Sequence, residues 1–175
     1  MSCLRLGAGR IVTVLVAVAA MASCRAREAD DSPPRANVRV GDLVISDGYV
    51  AAPMVDHLTM AYFTMENIGT EPDALVGASS DVAARIEFLS QVLDGPLGRR
   101  SPVERIVIAP GHSVTLEPGG FHLILEDLRV PLAPGDSVTV RLRFERAGAA
   151  IVRLPVLPQI ELVRRGPPSN RETAG

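Results

Sequence analysis

The feature that most constrains the fold of this chain is an alternation of apolar and polar side chains with a period of two residues. The clearest case is segment 138–145, VTVRLRFE, in which every second residue is apolar. Segment 113–117, SVTLE, repeats the pattern. Successive side chains of a β-strand point to opposite faces, so this alternation predicts strands that are buried on one face only.

Short strands separated by turn sequences account for most of the chain after residue 37. The turn sequences include NIG at 67–69, APG at 109–111 and PGG at 118–120. Gly, Pro and Asn in such clusters are typical of tight turns. The pattern predicts a single all-β domain over residues 38–157, a sandwich or barrel of about nine antiparallel strands with no helix longer than about two turns. The strands are expected near 38–45, 58–66, 73–78, 84–92, 103–108, 113–117, 121–126, 138–145 and 149–156.

An export signal precedes the domain. Arg5 and Arg10 flank the start of an apolar run, Ile11–Ala20, which is shorter than the roughly 20 residues that a membrane-spanning helix needs. A positively charged segment followed by a short apolar run is typical of a cleaved signal peptide, here residues 1–23. We therefore predict that the chain is exported to the cell envelope or periplasm.

Cys24 follows this run in the sequence Met21-Ala22-Ser23-Cys24. It resembles the bacterial lipobox, with methionine where leucine is usual, and so predicts a lipoprotein anchored to a membrane by lipid on Cys24. Polar residues 24–37 would form a flexible tether, and residues 158–175 a disordered tail. Two alternatives are cleavage after Ala22, which would give a soluble periplasmic or secreted protein, and an uncleaved anchor.

Composition excludes several classes of function. Residues 24–175 carry sixteen arginines and twenty acidic residues, a formal charge of −4. With two tyrosines, no tryptophan and no basic stripe, the sequence argues against nucleic-acid binding. The domain has no cysteine, hence no disulfide or thiolate metal site. No nucleophile elbow, phosphate-binding loop or zinc-protease motif occurs, so an enzyme is disfavoured.

Several motifs together resemble the PCuAC family of periplasmic copper chaperones. They include AYFTMEN at 61–67, EPD at 71–73, PGGFH at 118–122 and LAPGD at 132–136. The resemblance implies a cupredoxin-like Greek-key β-sandwich. It also implies a role in carrying Cu(I) to the CuA centre of cytochrome oxidase, and therefore an oxidase subunit as an envelope partner.

The resemblance further implies a copper motif, H-x10-M-x21-H-x-M. Imidazole and thioether ligands suit the soft ion Cu(I). The matching positions hold Leu89, Arg100, His122 and Ile124, so only His122 remains as a ligand. We therefore predict a degenerate site, which leaves Cu(I) binding in doubt. The alternative function is a metal-free module that binds another envelope protein.

A second group of soft ligands offers a relocated metal site. Met54, His57 and Met60 could lie near one edge of the domain, whereas Met65 should face the core, because Met60 and Met65 differ by an odd number of residues. Methionine in a β-domain more often fills the core than binds a metal. His112, next to a Pro-Gly turn, is expected to be a surface residue.

Overall fold

The structure is a computed structural model that describes residues 37–92 and 99–160. The predicted signal peptide, Cys24, most of the predicted tether and the tail from residue 161 lie outside the described residues.

Eleven strands form the described part of the domain. The main path of hydrogen-bonded neighbours runs β6-β5-β9-β3-β2-β11-β10-β4-β7, with β1 paired to β2 and β8 to β3. Every pairing is antiparallel except that between β11 and β2. The strands are β1 (Val38–Val40), β2 (Leu43–Ala51), β3 (Leu58–Asn67), β4 (Asp73–Ser79), β5 (Ala83–Val92), β6 (Arg99–Pro102), β7 (Ile106–Ile108), β8 (Ser113–Thr115), β9 (Phe121–Leu128), β10 (Ser137–Phe144) and β11 (Ala149–Leu157).

The sheet curls into two layers and confirms the predicted cupredoxin-like Greek-key sandwich. Strands β2, β3, β5 and β9 belong to the first layer, and β4, β7, β10 and β11 to the second. No helix occurs in the described residues between 38 and 157. Nor does any helix among the residues described here have the length and apolar character needed to cross a membrane.

The strand pattern differs from the prediction at two places. The predicted strand 38–45 is two strands, because Gly41 turns the chain with a φ of +54°. Strand β6 was not predicted, since its sequence Arg-Arg-Ser-Pro lacks the alternation, yet it pairs with the end of β5. Both differences arise from turns and edge pairing, to which apolar periodicity is insensitive.

The core fills the space between the two layers. All four apolar residues of segment 138–145 are at most 3% exposed. From the first layer, Phe63 and Met65 are 1% and 0% exposed. Met60 lies on the other face of β3, outside this core cluster, so the predicted opposite orientation of Met60 and Met65 is confirmed.

A bulge in β2 changes which residues of that strand face the core. The register with β3 shifts between Ser46 and Tyr49, and Asp47 has a φ of +55°. Before the bulge Ile45 is buried in the core; after it Val50 is, so Tyr49 turns to the outer face. Gly48 lies against the Leu154 side chain, which would have to shift to accept a Cβ at this position.

Asp73 joins the start of β4 to the turn between β10 and β11. Its Oδ1 accepts hydrogen bonds from the backbone N–H groups of Ala74 (2.7 Å) and Arg146 (2.9 Å), and its Oδ2 accepts one from Ala147 (2.8 Å). The residue is 7% exposed. A buried carboxylate with three such donors is a structural residue.

Candidate functional site

Three of the four positions of the copper motif lie close together on the outer face of the first layer. Leu89 on β5 is directly opposite His122 on β9. Ile124 follows His122 by two residues and therefore points to the same face. Directly opposed residues of an antiparallel pair have Cβ atoms about 4.5–5.5 Å apart, so the alignment of strands brings these positions to side-chain contact range.

The fourth position, Arg100, lies on β6. Its backbone pairs with Gln91 in the hairpin formed by β5 and β6, two steps along from the pairing of Leu89 with Pro102. The Arg100 side chain lies outside the described part of the structure. The backbone register nevertheless puts position 100 on the strand next to Leu89.

His122 is buried, with 2% of its surface exposed. Its Nδ1 lies 3.1 Å from the carbonyl oxygen of Gly120. A carbonyl oxygen can only accept, so Nδ1 carries the proton in this bond and the lone pair of the neutral ring is on Nε2.

The turn before His122 fixes the backbone that holds its ring. Glu117 N–H donates to the Phe121 carbonyl oxygen (2.7 Å), and Gly120 N–H donates to the Glu117 carbonyl oxygen (3.1 Å). Gly119 has a φ of +89°, a conformation that favours glycine. A Cβ on Gly120 would lie 3.1 Å from Glu117 Cγ. The positive φ accounts for glycine at position 119, and a side chain at position 120 would require Glu117 to move.

Tyr62 adjoins His122, and Tyr49 and Met60 each contact Tyr62. The Tyr62 ring centroid is 6.4 Å from that of His122, and the Tyr49 ring centroid is 5.1 Å from that of Tyr62. Tyr62 Oη donates to Met60 Sδ at 3.1 Å. Met60 is in register with Ile124 across β3 and β9. The thioether of Met60 therefore lies beside Ile124, the position at which the copper motif has a methionine.

The residues of the predicted relocated set lie on two different parts of the chain. Met54 is 84% exposed and His57 is exposed, both on the segment between β2 and β3, whereas Met60 lies on β3 in contact with Tyr62. An open cleft of about 280 Å³ adjoins this segment, but neither Met54 nor His57 lines it. Within residues 37–92 and 99–160, no three His, Cys, Asp or Glu side chains are grouped as a metal site.

Charged residues lie at one end of the outer face. Arg85 Nη2 is 3.0 Å from Glu126 Oε2 and 3.6 Å from Asp127 Oδ2. The hydrogen bond and charge of Glu126, with the charge of Asp127, raise the pKa of Arg85 above its ordinary value. His112 is exposed as expected, and its Nδ1 is 2.8 Å from the Pro110 carbonyl oxygen.

Sequence reasoning missed Tyr62 as a neighbour of His122, and Tyr49 as a neighbour of Tyr62. Tyr62 stands two residues from Met60, so the alternation of β3 could have placed it on that face. Tyr49 could not have been assigned in this way, because the bulge at Asp47 reverses the alternation of β2.

The family model and the curated relative that match this chain are both described as lipoproteins. The model of a family described as "Putative lipoprotein LpqE-like" matches residues 43–156. A protein of Leifsonia xyli subsp. xyli, "Putative lipoprotein Lxx21020", is 30% identical over 100 residues. That match covers 57% of this chain and 60% of the relative's length.

Solved structures of PCuAC domains share the fold. The copper-bound PCuAC domain from PmoF2 is 24% identical with a TM-score of 0.62, and the match covers 70% of this chain and 98% of that one. The solution structure of CuI-DR1885 from Deinococcus radiodurans is 27% identical with a TM-score of 0.52, covering 69% and 80%.

Proposed function

Since the chain belongs to the LpqE-like lipoprotein family, we propose that it is a lipid-anchored binding domain of the cell envelope with a PCuAC-like fold, in which the copper site of PCuAC proteins has been lost. It is a binding protein and not an enzyme. Its partner is another protein of the envelope.

Anchoring through Cys24 gives the first prediction. The family is one of lipoproteins, and Ala22-Ser23-Cys24 follows a short apolar run. Mass spectrometry of the protein from membranes should find Cys24 as a diacylated first residue. A Cys24→Ser variant should leave the membrane fraction. A mature chain that begins at Ser23 and carries no lipid would contradict the prediction.

The pairing of Leu89 with His122 is the observation that supports loss of the copper site. The strands bring the motif positions together, but the side chains of Leu89 and Ile124 are hydrocarbon and offer no lone pair. His122 alone supplies too few donors for tight Cu(I) binding. Two positions of the motif thus lie opposite or next to His122 on the sheet without supplying a donor, which supports the proposed loss.

Titration with Cu(I) against a competing chelator tests this loss. The unmodified protein should bind no tighter than about 1 μM, and His122→Ala should change the result little. His112→Ala is a matched control, since His112 is exposed and away from the motif. Subnanomolar binding that His122→Ala abolishes would overturn the proposal.

A second candidate function is Cu(I) carriage through a rearranged site, with delivery to a cytochrome oxidase subunit. The register of Met60 with Ile124 favours it, because Met60 Sδ could replace the lost thioether beside His122. In that case Met60→Leu should weaken Cu(I) binding as much as His122→Ala does. Met54→Leu, on the exposed segment, should leave the binding unchanged.

A further inference from the structure

The outer face of the second layer carries a cluster of arginines. Arg141 and Arg143 lie on β10 and point to the same side, and Arg153 lies on the neighbouring strand β11, opposite Thr139. Ile151, which is 59% exposed, is opposite Arg141. We call this surface, formed by Arg141, Arg143, Arg153 and Ile151, the arginine face.

The charge of the arginine face is not neutralised by acidic side chains of the described residues. None of its three arginines is in an ion pair there, and Arg143 Nη2 instead donates to the Val76 carbonyl oxygen at 3.2 Å. Glu145, which directly follows the last residue of β10, pairs with Arg105 at 2.6 Å. Residues 24–175 have a negative net charge. The arginine face is therefore a local concentration of positive charge on a chain that is acidic overall.

The chain enters the domain beside this face. Strand β3 occupies one edge of β2, so β1 and β11 share the other edge. The segment that leads from Cys24 to β1 therefore reaches the domain next to β11. Residues 25–37 can span at most about 45 Å. This length allows the arginine face to lie flat on a membrane that holds Cys24.

We propose that the arginine face docks on the anionic headgroups of the membrane to which the protein is anchored. The three guanidinium groups would bind lipid phosphates, for which arginine geometry is suited, and Ile151 would contact the headgroup layer. The inference rests on the proposed lipid anchor, which keeps the domain near the bilayer at high effective concentration. The outer face of the first layer, which carries His122, would then point away from the membrane.

Vesicle binding by the mature chain, residues 24–175, carrying Cys24→Ser tests the face without the lipid and without the apolar leader. This protein should sediment with vesicles of phosphatidylglycerol and phosphatidylcholine, and much less with phosphatidylcholine alone. Replacing Arg141, Arg143 and Arg153 by glutamine should lower the partition coefficient about tenfold or more. The matched control replaces Arg39, Arg105 and Arg146, which are in ion pairs, and should have a much smaller effect.

Arginine modification in lipid nanodiscs tests the orientation of the anchored protein. Phenylglyoxal should modify Arg141 and Arg153 at least about threefold more slowly in anionic than in zwitterionic nanodiscs, with Arg105 unchanged. Equal rates in both lipids, or equal vesicle binding by the two triple variants, would overturn the proposal. Binding to polyglutamate but not to anionic vesicles would also overturn it, in favour of an acidic protein. A chain that fails to enter nanodiscs but binds anionic vesicles would refute the anchor alone.

Discussion

Replacing Leu89 by histidine and Ile124 by methionine should tighten Cu(I) binding at least about 1000-fold, equivalent to about 4 kcal/mol. A histidine at 89 would face His122 across the β5–β9 ladder, and a methionine at 124 would adjoin Met60. The double variant would thus offer two imidazoles and two thioethers on one face. Competition with a Cu(I) chelator measures the gain, and adding Arg100→Met should increase it further.

The control for this gain adds the same residue types elsewhere. Val107→His with Ile151→Met places them on exposed positions of the second layer, on strands β7 and β11, which are separated by β4 and β10. This variant should bind Cu(I) no better than the parent. If the motif-site variant also gains nothing while its circular dichroism and unfolding midpoint stay native, the motif positions do not form a site in this chain.

Replacing Asp73 by alanine should lower the free energy of unfolding by about 3 kcal/mol. The change removes three charge-assisted hydrogen bonds from a buried carboxylate, each of which contributes about 1.5–3 kcal/mol, although water can reach two of the donors. The turn between β10 and β11 would lose its link to β4. Urea unfolding of parent and variant measures the difference.

Glu71→Ala is the matched control for Asp73. Glu71 is also an acid close to Arg146, but its contact is an exposed ion pair of 3.5 Å. Such pairs contribute roughly 0–1 kcal/mol, so the control should stay close to the parent. Asp73→Asn should fall between the two, since it keeps one acceptor but directs an amide N–H group at a backbone donor. Equal stability of Asp73→Ala and Glu71→Ala would contradict the structural role of Asp73.

The sequence predicted the sandwich well because its strands are half-buried. In β10 the alternation alone assigned the buried residues, for burial on one face requires a period of two. Alternation could not have assigned the residues of β2 in this way, because the bulge at Asp47 reverses the facing of Tyr49. The bulge is an irregularity of the β2–β3 register, with Asp47 at a φ of +55°, and the apolar periodicity of the sequence does not contain it.

The candidate site was predictable in part. The motif spacing indicated which positions to compare, and the β5–β9 register accounts for the proximity of Leu89 and His122. The position of Met60 beside Ile124 depends on the register of β3 with β9, which joins residues more than sixty apart in sequence. Such pairings between distant strands are set by the packing of the whole sandwich and leave no local pattern.

The edge strands at the two ends of the main sheet path, β6 and β7, affect whether copies of this protein aggregate at high local concentration. Its terminal strands are short: β6 has four residues, with the sequence Arg-Arg-Ser-Pro, and β7 has three. Short edges with charges or proline resist the addition of a strand from another molecule. If the proposed lipid on Cys24 holds the protein at a membrane, its copies would collide more often than in solution, and such blunt edges would let many copies accumulate side by side without aggregating into fibrils.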